Sequence, residues 1–273
     1  MRPMGALDRM IHGFVAAIAT VTTLTGGWMA AGAEDGRRLI LEYQTFLGPL
    51  PIMIVAAELA LPSAPTENGP YRAHIVGNVD PAFAALYDWS FTARSEGTTG
   101  GRQVKPRRFA GENLSMLDAR PVAISYASDG SPTTRFTPPH AEDAGLALPP
   151  GEVKGSIDPA SALVQFVRVV ATGGSCAATI PIYDGRRRFD VIAEDAGEEL
   201  IGALPGSIYS GPAERCALRL MQRDTSRERL PTEGTAWITA IGDGPPVPVR
   251  IEFLTPTGPM VLDLVRIEPG SGS

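Results

Sequence analysis

The residues best suited to chemistry lie in one stretch, from Cys176 to Cys216. It contains both cysteines of the chain, the Asp184-Gly185 dipeptide and the run Arg186-Arg187-Arg188. Thiols can hold a metal or carry redox chemistry, carboxylates can act as acid and base, and guanidinium groups can grip anions. Three kinds of site are therefore open at this point: a cysteine centre, a carboxylate pair and an anion-binding cluster.

The cysteines favour a structural role. Neither belongs to a CxxC motif and neither has a histidine nearby, so the patterns of thioredoxin-like and zinc centres are missing. An even number of cysteines in an exported chain indicates pairing. We predict a Cys176–Cys216 disulfide, which in the chain-entropy model would stabilise the fold by about 4 kcal/mol.

Residues for catalysis are few. Asp184 and Asp190 could be paired as two carboxylates, but a turn aspartate and a strand aspartate near arginines are more often structural. His74 alternates with neighbours on a predicted strand, and His140 lies in a proline-rich loop. The sequence has no GxSxG, HExxH or phosphate-binding glycine loop. We predict no catalytic residue, no metal and no cofactor.

The arginines keep a functional interpretation. Arg186, Arg187 and Arg188 follow the Asp-Gly turn, and Arg107 and Arg108 lie on an earlier predicted strand. If the two sets converge, their planar guanidinium groups could hold an anionic headgroup or an acidic partner. The alternative is a solvated hairpin tip with cross-strand ion pairs to Asp190, Glu194 or Glu112.

The surrounding pattern predicts a mainly β protein. Period-2 alternation recurs along the chain in ten to twelve strands, with both cysteines on apolar faces. One substantial helix interrupts them, with Asp158 as its cap, Pro159 at its first turn and Gly173-Gly174 at its end. Its broad apolar surface needs extensive cover, so we predict a large curled antiparallel sheet, or open β-barrel, wrapped around one long helix.

The N-terminus indicates export, and the cysteine usage agrees with it. Residues 1–33 read as a signal peptide cleaved after Ala33, with an uncleaved anchor as the alternative. We expect a periplasmic protein whose residues 34–273 form a single domain, with a Pro/Gly-rich loop at 131–155. The formal net charge of -6 argues against binding nucleic acid or coating an anionic bilayer.

An ordered set of motifs resembles the bacterial family of domains of unknown function numbered 3108. The motifs are Trp89 to Gly97, Pro106 to Phe109, Asp158 to Leu163, Cys176, Tyr183 to Asp190, Tyr209 to Ala213, Cys216, and Pro248 to Ile251 followed by Gly258 and Leu264. The resemblance implies an exported, β-rich protein without an established reaction. It also implies an architecture similar to the sheets that curl around a helix in periplasmic lipoprotein carriers and envelope-integrity proteins.

The sequence leaves three functions open. The first is a non-catalytic periplasmic binding or interaction protein that supports the cell envelope, whose partner is an envelope protein or a hydrophobic ligand of unknown identity. The second is a carrier of a hydrophobic ligand or lipoprotein, and the third is an envelope polysaccharide or peptidoglycan hydrolase. A helix that fills the sheet's concave side would favour the first function, and a gap beside the helix would favour the second.

Overall fold

A computed structural model describes residues 36–84, 89–115, 118–119, 121–137, 148–223, 232–256 and 258–270. The predicted signal peptide and His140 lie outside these ranges, so both interpretations stay predictions. Two helices are described, α1 (Pro150–Val153) and α2 (Pro159–Gly173). The strands are β1 (Arg37–Leu47), β2 (Leu50–Leu61), β3 (Gly69–Val79), β4 (Trp89–Gly100), β5 (Gln103–Ser115), β6 (Asp118–Ala119), β7 (Val122–Tyr126), β8 (Pro132–Phe136), β9 (Ala178–Tyr183), β10 (Arg188–Ile201), β11 (Gly211–Gln222), β12 (Glu233–Ala240), β13 (Pro246–Thr255) and β14 (Gly258–Gly270).

All these strands join one 14-stranded antiparallel sheet. The order is β8-β7-β5-β4-β3-β2-β1-β14-β13-β12-β11-β10-β9, and β6 pairs with β5. The first strand therefore pairs with the last, from Arg38 opposite Gly270 to Leu47 opposite Met260. The middle of the chain supplies both edges, β8 and β9. The predicted fold class, a curled antiparallel sheet around one helix, is confirmed.

The concave face of the sheet holds the core. In β1, Leu39, Leu41 and Tyr43 are buried and point inward, while the residues between them are only partly covered. The sequence of β2 is apolar on both faces apart from Glu58, which predicts a strand covered on both sides. Instead, Met53, Val55 and Leu59 are buried, and the alternating residues are only partly buried.

Helix α2 fills the concave side. Asp158 accepts a hydrogen bond from the Ser161 amide at the helix start, and Gly174 ends the helix in the left-handed conformation (φ 58°). Apart from Gly173 at its end, every residue of the helix is buried or partly buried. Its polar residues are buried with the rest. The Gln165 carboxamide oxygen accepts a hydrogen bond from the Val104 amide (3.2 Å), so this polar side chain is bonded to the sheet.

Arg168 shows the same use of a polar side chain inside the fold. Its guanidinium group donates to the carbonyl oxygens of Gly101 (2.8 Å) and Glu67 (2.9 Å), both in turns beside the helix. Burial lowers the pKa of Arg168, and the carbonyl oxygens compensate for its lost hydration. The helix is therefore tied to the loops as well as packed on the strands.

The two edges of the sheet meet around the segment that precedes α2. Ile157 exchanges backbone hydrogen bonds with β9, donating to Pro181 and accepting from Tyr183 (both 2.9 Å). The Tyr183 hydroxyl accepts a hydrogen bond from Thr134 of β8 at 3.1 Å. Side chains and one short segment thus bring together edges that share no strand ladder.

Two local predictions need correction. The stretch 131–155, predicted to be a loop, contains β8 and α1, and its residues 138–147 lie outside the described ranges. β8 forms despite Pro132 because a proline is tolerated at the start of an edge strand, and Thr133 and Thr134 favour extended backbone. The Asp80-Pro81 dipeptide also predicts a short helix, but residues 81–84 form a turn and residues 85–88 are not described.

Candidate anion-binding face

The predicted disulfide joins Cys176 and Cys216, whose Cα atoms lie 6.1 Å apart. Both cysteines are fully buried and pack with Val170 of the helix and Leu218 of β11. Glu214 lies near the two sulfur atoms, but because these are bonded to each other they are not free to ligate a metal. This disulfide, called the staple below, links the segment just before β9 to β11, across the intervening strand β10.

A carboxyl pair lies beside this staple. Asp195 accepts hydrogen bonds from the Cys176 amide (2.8 Å) and the Ser175 hydroxyl (2.6 Å), which hold the pKa of Asp195 below its ordinary value. Burial and the neighbouring Asp195 raise the pKa of Glu214. The pair orders the chain around the disulfide.

The arginine run does not follow a two-residue turn, as the sequence suggested. β9 ends at Tyr183 and β10 begins at Arg188, so Arg186 and Arg187 are part of the turn itself. The Asp184 side chain accepts hydrogen bonds from both of their amides. The turn is not a solvated hairpin tip, because it folds back against β7 and β8, where Gly185 lies against Val122, but the expected ion pair with Asp190 is present at Arg188.

Each arginine of this turn has a partner. Arg187 forms an ion pair with Asp184 at 2.9 Å, and both side chains are 5% exposed. The Arg186 guanidinium carbon lies 4.5 Å from the centre of the Phe136 ring. Arg188 pairs with Asp190, which also binds Arg223 at 2.7 Å. Asp184 and Asp190 are thus both occupied by arginines, and the run mainly closes the seam between the sheet edges.

Arg107 and Arg108 are brought together on one carboxylate. They are consecutive on β5, so strict alternation would place them on opposite faces. A β-bulge prevents this, because Glu96 pairs with Arg108 while Gly97 pairs with Pro106, which leaves Arg107 as the extra residue. Both guanidinium groups then reach Glu96 Oε1, at 2.8 Å and 2.7 Å.

Glu96 and Gly97 make this arrangement possible. A Cβ atom at Gly97 would lie 2.2 Å from the Lys105 carbonyl oxygen, so only glycine allows β4 and β5 to approach this closely. Burial alone would raise the pKa of Glu96, but hydrogen bonds from Arg107 and Arg108 outweigh it and the pKa is lowered. The two arginines remain largely exposed, with 69% and 57% of their side-chain surface accessible.

The same outer surface carries further cations that the sequence analysis did not single out. We define the basic face as the outer surface of β3, β4, β5, β7 and β8. Its exposed basic residues are Arg72, Arg94, Lys105, Arg107, Arg108 and Arg135. Strand register, unavailable from the sequence alone, is the signal that gathers them. Guanidinium groups on one surface suit carboxylates and phosphates, so the basic face is the candidate binding site.

His74 and Asp158 are two further ionisable residues, and their surroundings are structural. His74, on the outer surface of β3, has a pKa lowered by burial and by Arg94, against the opposing effect of Glu58. Inside the fold, Asp158 is fully buried, and its carboxylate accepts from the hydroxyls of Ser161 (2.6 Å) and Ser95 (3.0 Å). Burial raises the pKa of Asp158 to about 6 despite these bonds. This cluster joins the helix start to the sheet.

The interior of the described fold is filled rather than hollow. One cavity of about 200 Å³ lies on the outer surface beside Arg94 and Arg135. Another, of about 20 Å³, lies between α2 and the loop after β2, and has room for about one water molecule. Helix α2 and the inward side chains occupy the concave side.

Among the described residues, no helix has the length and apolar character needed to cross a membrane.

Comparison with known proteins identifies the family of this chain. The family model described as a protein of unknown function, DUF3108, matches residues 50–265. The chain belongs to this family. No curated protein matches the sequence significantly. Among solved structures, the chain is similar to the crystal structure of a β-barrel-like protein of domain of unknown function DUF1849 from Brucella abortus. The identity is 9%, the TM-score is 0.49, and the match covers 86% of this chain and 98% of the other.

Proposed function

We propose that this DUF3108 protein is a non-catalytic binding protein of the bacterial periplasm that supports the cell envelope by engaging an anionic partner through its basic face. The observation that carries the proposal is the pair Arg107 and Arg108, which one buried carboxylate holds side by side while leaving them exposed. Two guanidinium groups fixed on a rigid strand lose little freedom when they bind a carboxylate or phosphate.

The filled interior supports a surface interaction over the carriage of a hydrophobic ligand. A carrier needs an apolar cavity of several hundred Å³, whereas helix α2 fills the concave side and the cavity of about 200 Å³ lies on the outer surface of the sheet. The engagement of Asp184 and Asp190 by arginines gives no support to a hydrolase that would use them as a carboxylate pair. The periplasmic location rests on the signal-peptide pattern and agrees with a buried disulfide.

The test replaces both arginines by glutamine in a strain that lacks the gene. We expect the deletion to sensitise cells to detergent, the wild-type gene to restore resistance, and Arg107→Gln with Arg108→Gln to fail. The matched control is Arg215→Gln with Arg219→Gln, an exposed pair on β11 whose carboxylate partners are also exposed. This control should restore resistance, because exposed pairs contribute about 1 kcal/mol or less to stability.

Three outcomes would contradict the proposal. The deletion strain could have normal detergent resistance, or the Arg107 and Arg108 variant could complement it as well as the wild type does. Alternatively, mass spectrometry of the purified protein could find stoichiometric acyl chains, which would favour the carrier. Variant protein levels and thermal unfolding must match the wild type, so that loss of resistance reports binding rather than folding.

A further inference from the structure

The outer cavity of about 200 Å³ has an ordered set of walls. Its floor is formed by Ala110 of β5 and Ala123 of β7, which are paired across the sheet. On one side Ala110 pairs with Arg94 of β4, and on the other Ala123 pairs with Arg135 of β8. The two arginines thus flank two methyl groups, in one row that crosses four strands. We call this feature the alanine-floored groove.

The groove also contains an acid. Glu112 lies two residues beyond Ala110 on β5, opposite Thr92, and both line the cavity together with Thr137. The two arginines are exposed, whereas Glu112 is partly buried. Burial raises the pKa of Glu112 and the charge of Arg94 opposes this effect. The groove therefore presents two positive groups, one negative group and two hydroxyls.

Strand spacing gives the scale of this pattern. Neighbouring strands lie about 4.8 Å apart, so the backbones of Arg94 and Arg135 are about 14 Å apart over three steps. Two residues along a strand span about 7 Å, which separates the Glu112 position from the arginine row. A volume of about 200 Å³ is smaller than an ordinary drug pocket and suits a fragment of one or two amino acids.

We propose that the alanine-floored groove binds a short peptide carrying both a carboxylate and an ammonium group, with the carboxylate between Arg94 and Arg135 and the ammonium beside Glu112. This inference rests on the proposed binding function of the basic face and names a ligand class for one part of it. The alanine floor admits a peptide backbone or a small side chain, and Thr92 and Thr137 supply hydroxyls for its amides.

Glu112 decides between this ligand and a plain anion. Inorganic phosphate or a dicarboxylate would gain from the arginines but would place negative charge near a partly buried carboxylate, which opposes binding. A ligand with an ammonium group turns that repulsion into attraction. The combination of cations and one acid thus selects a zwitterion rather than any anion.

The experiment titrates the purified protein with alanyl-alanine and follows the amide signals of β5 and β7 by NMR. Two blocked probes, N-acetyl-alanyl-alanine and alanyl-alanine amide, each lack one charge. We expect both to bind at least about tenfold more weakly than alanyl-alanine, because each loses a charge-assisted hydrogen bond. Arg94→Gln or Arg135→Gln should weaken alanyl-alanine by a similar factor. Arg219→Gln on β11 should have no effect.

Glu112→Gln tests recognition of the ammonium group separately from recognition of the carboxylate. It should abolish the preference for alanyl-alanine over the N-acetylated probe while leaving the preference over the amide intact. Equal affinity of wild type for alanyl-alanine and inorganic phosphate would overturn the inference, as would binding that ignores the blocked termini. Because this assay uses the isolated protein, it is separable from the complementation test. Peptide binding without a deletion phenotype would contradict the envelope role and leave the groove proposal intact. A deletion phenotype without peptide binding would contradict only the groove proposal.

Discussion

On the outer surface of β3, β4, β5, β7 and β8 the exposed charges are mainly arginines, whereas on β10 to β12 they are mainly carboxylates. The exposed acids of this second region are Glu194, Asp195, Glu198, Glu199 and Glu233. Its two exposed arginines, Arg215 and Arg219, lie near Glu199 and Glu194. The acidic region also contains the disulfide, which lies beneath its surface.

We infer from this difference that the acidic region mainly stabilises the fold, whereas the basic region provides a binding surface. In the acidic region the disulfide fixes the strands, and the exposed charges of this region add little to the free energy of unfolding. In the basic region the strands are ordered by ladders and by helix α2, and exposed cations outnumber the exposed carboxylates of the described strands. A protein that only needed to be stable would have no reason to concentrate like charges on one surface.

The largest expected effect comes from removing the staple. Cys176→Ala with Cys216→Ala should lower the free energy of unfolding by about 4 kcal/mol, because the unfolded chain regains the freedom that the closed loop removes. Urea unfolding under non-reducing conditions measures this loss. Wild-type protein unfolded with a reductant should approach the variant.

If the two regions are independent, removal of the disulfide should not affect peptide binding. If the basic face is independent of the staple, the double-alanine variant should bind alanyl-alanine with wild-type affinity at temperatures where it remains folded. A variant that is less than about 1 kcal/mol destabilised would contradict the prediction for the staple. A variant that stays folded but loses binding would show that the two regions are coupled.

A comparable effect is expected at the helix start, as a dependence of stability on pH. Asp158 has a pKa raised from 3.8 to about 6 in the folded protein, so folding takes up a proton between these values. Its contribution to stability is present below pH 4 and is lost as pH rises through 6. The shift corresponds to about 3 kcal/mol, at 1.36 kcal/mol for each pH unit.

Asp158→Asn isolates this contribution, because asparagine can still cap the helix but does not titrate. We expect the free energy of unfolding of wild type to fall relative to the variant between pH 4 and pH 6, and the difference to be flat above pH 7. Other carboxylates titrate equally in both proteins and cancel in the difference. Parallel pH profiles would show that Asp158 is ionised in the folded state.

A smaller effect is expected at the bulge that holds the two arginines together. Gly97→Ala would place a Cβ atom 2.2 Å from the Lys105 carbonyl oxygen, so β4 and β5 would have to separate at a cost of about 2 kcal/mol. The variant should also fail in the complementation assay, because Arg107 and Arg108 would no longer share Glu96.

Gly100→Ala on the same strand is the matched control, since a Cβ atom there has open space around it. Its free energy of unfolding should stay within about 0.5 kcal/mol of wild type. If both alanine variants behave alike, the bulge does not depend on close approach at Gly97.

Local signals were sufficient for the helix and the staple. Asp158, Pro159 and the Gly173-Gly174 pair are adjacent to the helix they delimit, so their chemistry can be read without knowing what packs around them. Alternation likewise placed Cys176 and Cys216 on apolar faces, as the structure confirms. These features depend on neighbours in sequence, which the sequence displays directly.

The candidate site depended on relations that the sequence does not display. Alternation separates Arg107 from Arg108, and only the bulge opposite Gly97 reunites them. Arg94 and Arg135 belong to one groove because four strands are in register, and a shift of one residue would turn either side chain to the other face. The burial of Arg187 arises from the meeting of two sheet edges, which is a tertiary event.

The pairing of β1 with β14 has a consequence for assembly. This ladder joins the first and last described strands in the middle of the sheet, whereas the segment that becomes the enclosed helix lies about halfway between them in sequence. Until the last strand is available, β1 is an open edge and the helix has cover from one half only. Contacts between such distant parts of a chain slow folding. We therefore expect refolding to be slow, and a chain truncated before β14 to aggregate through the unpaired edge of β1.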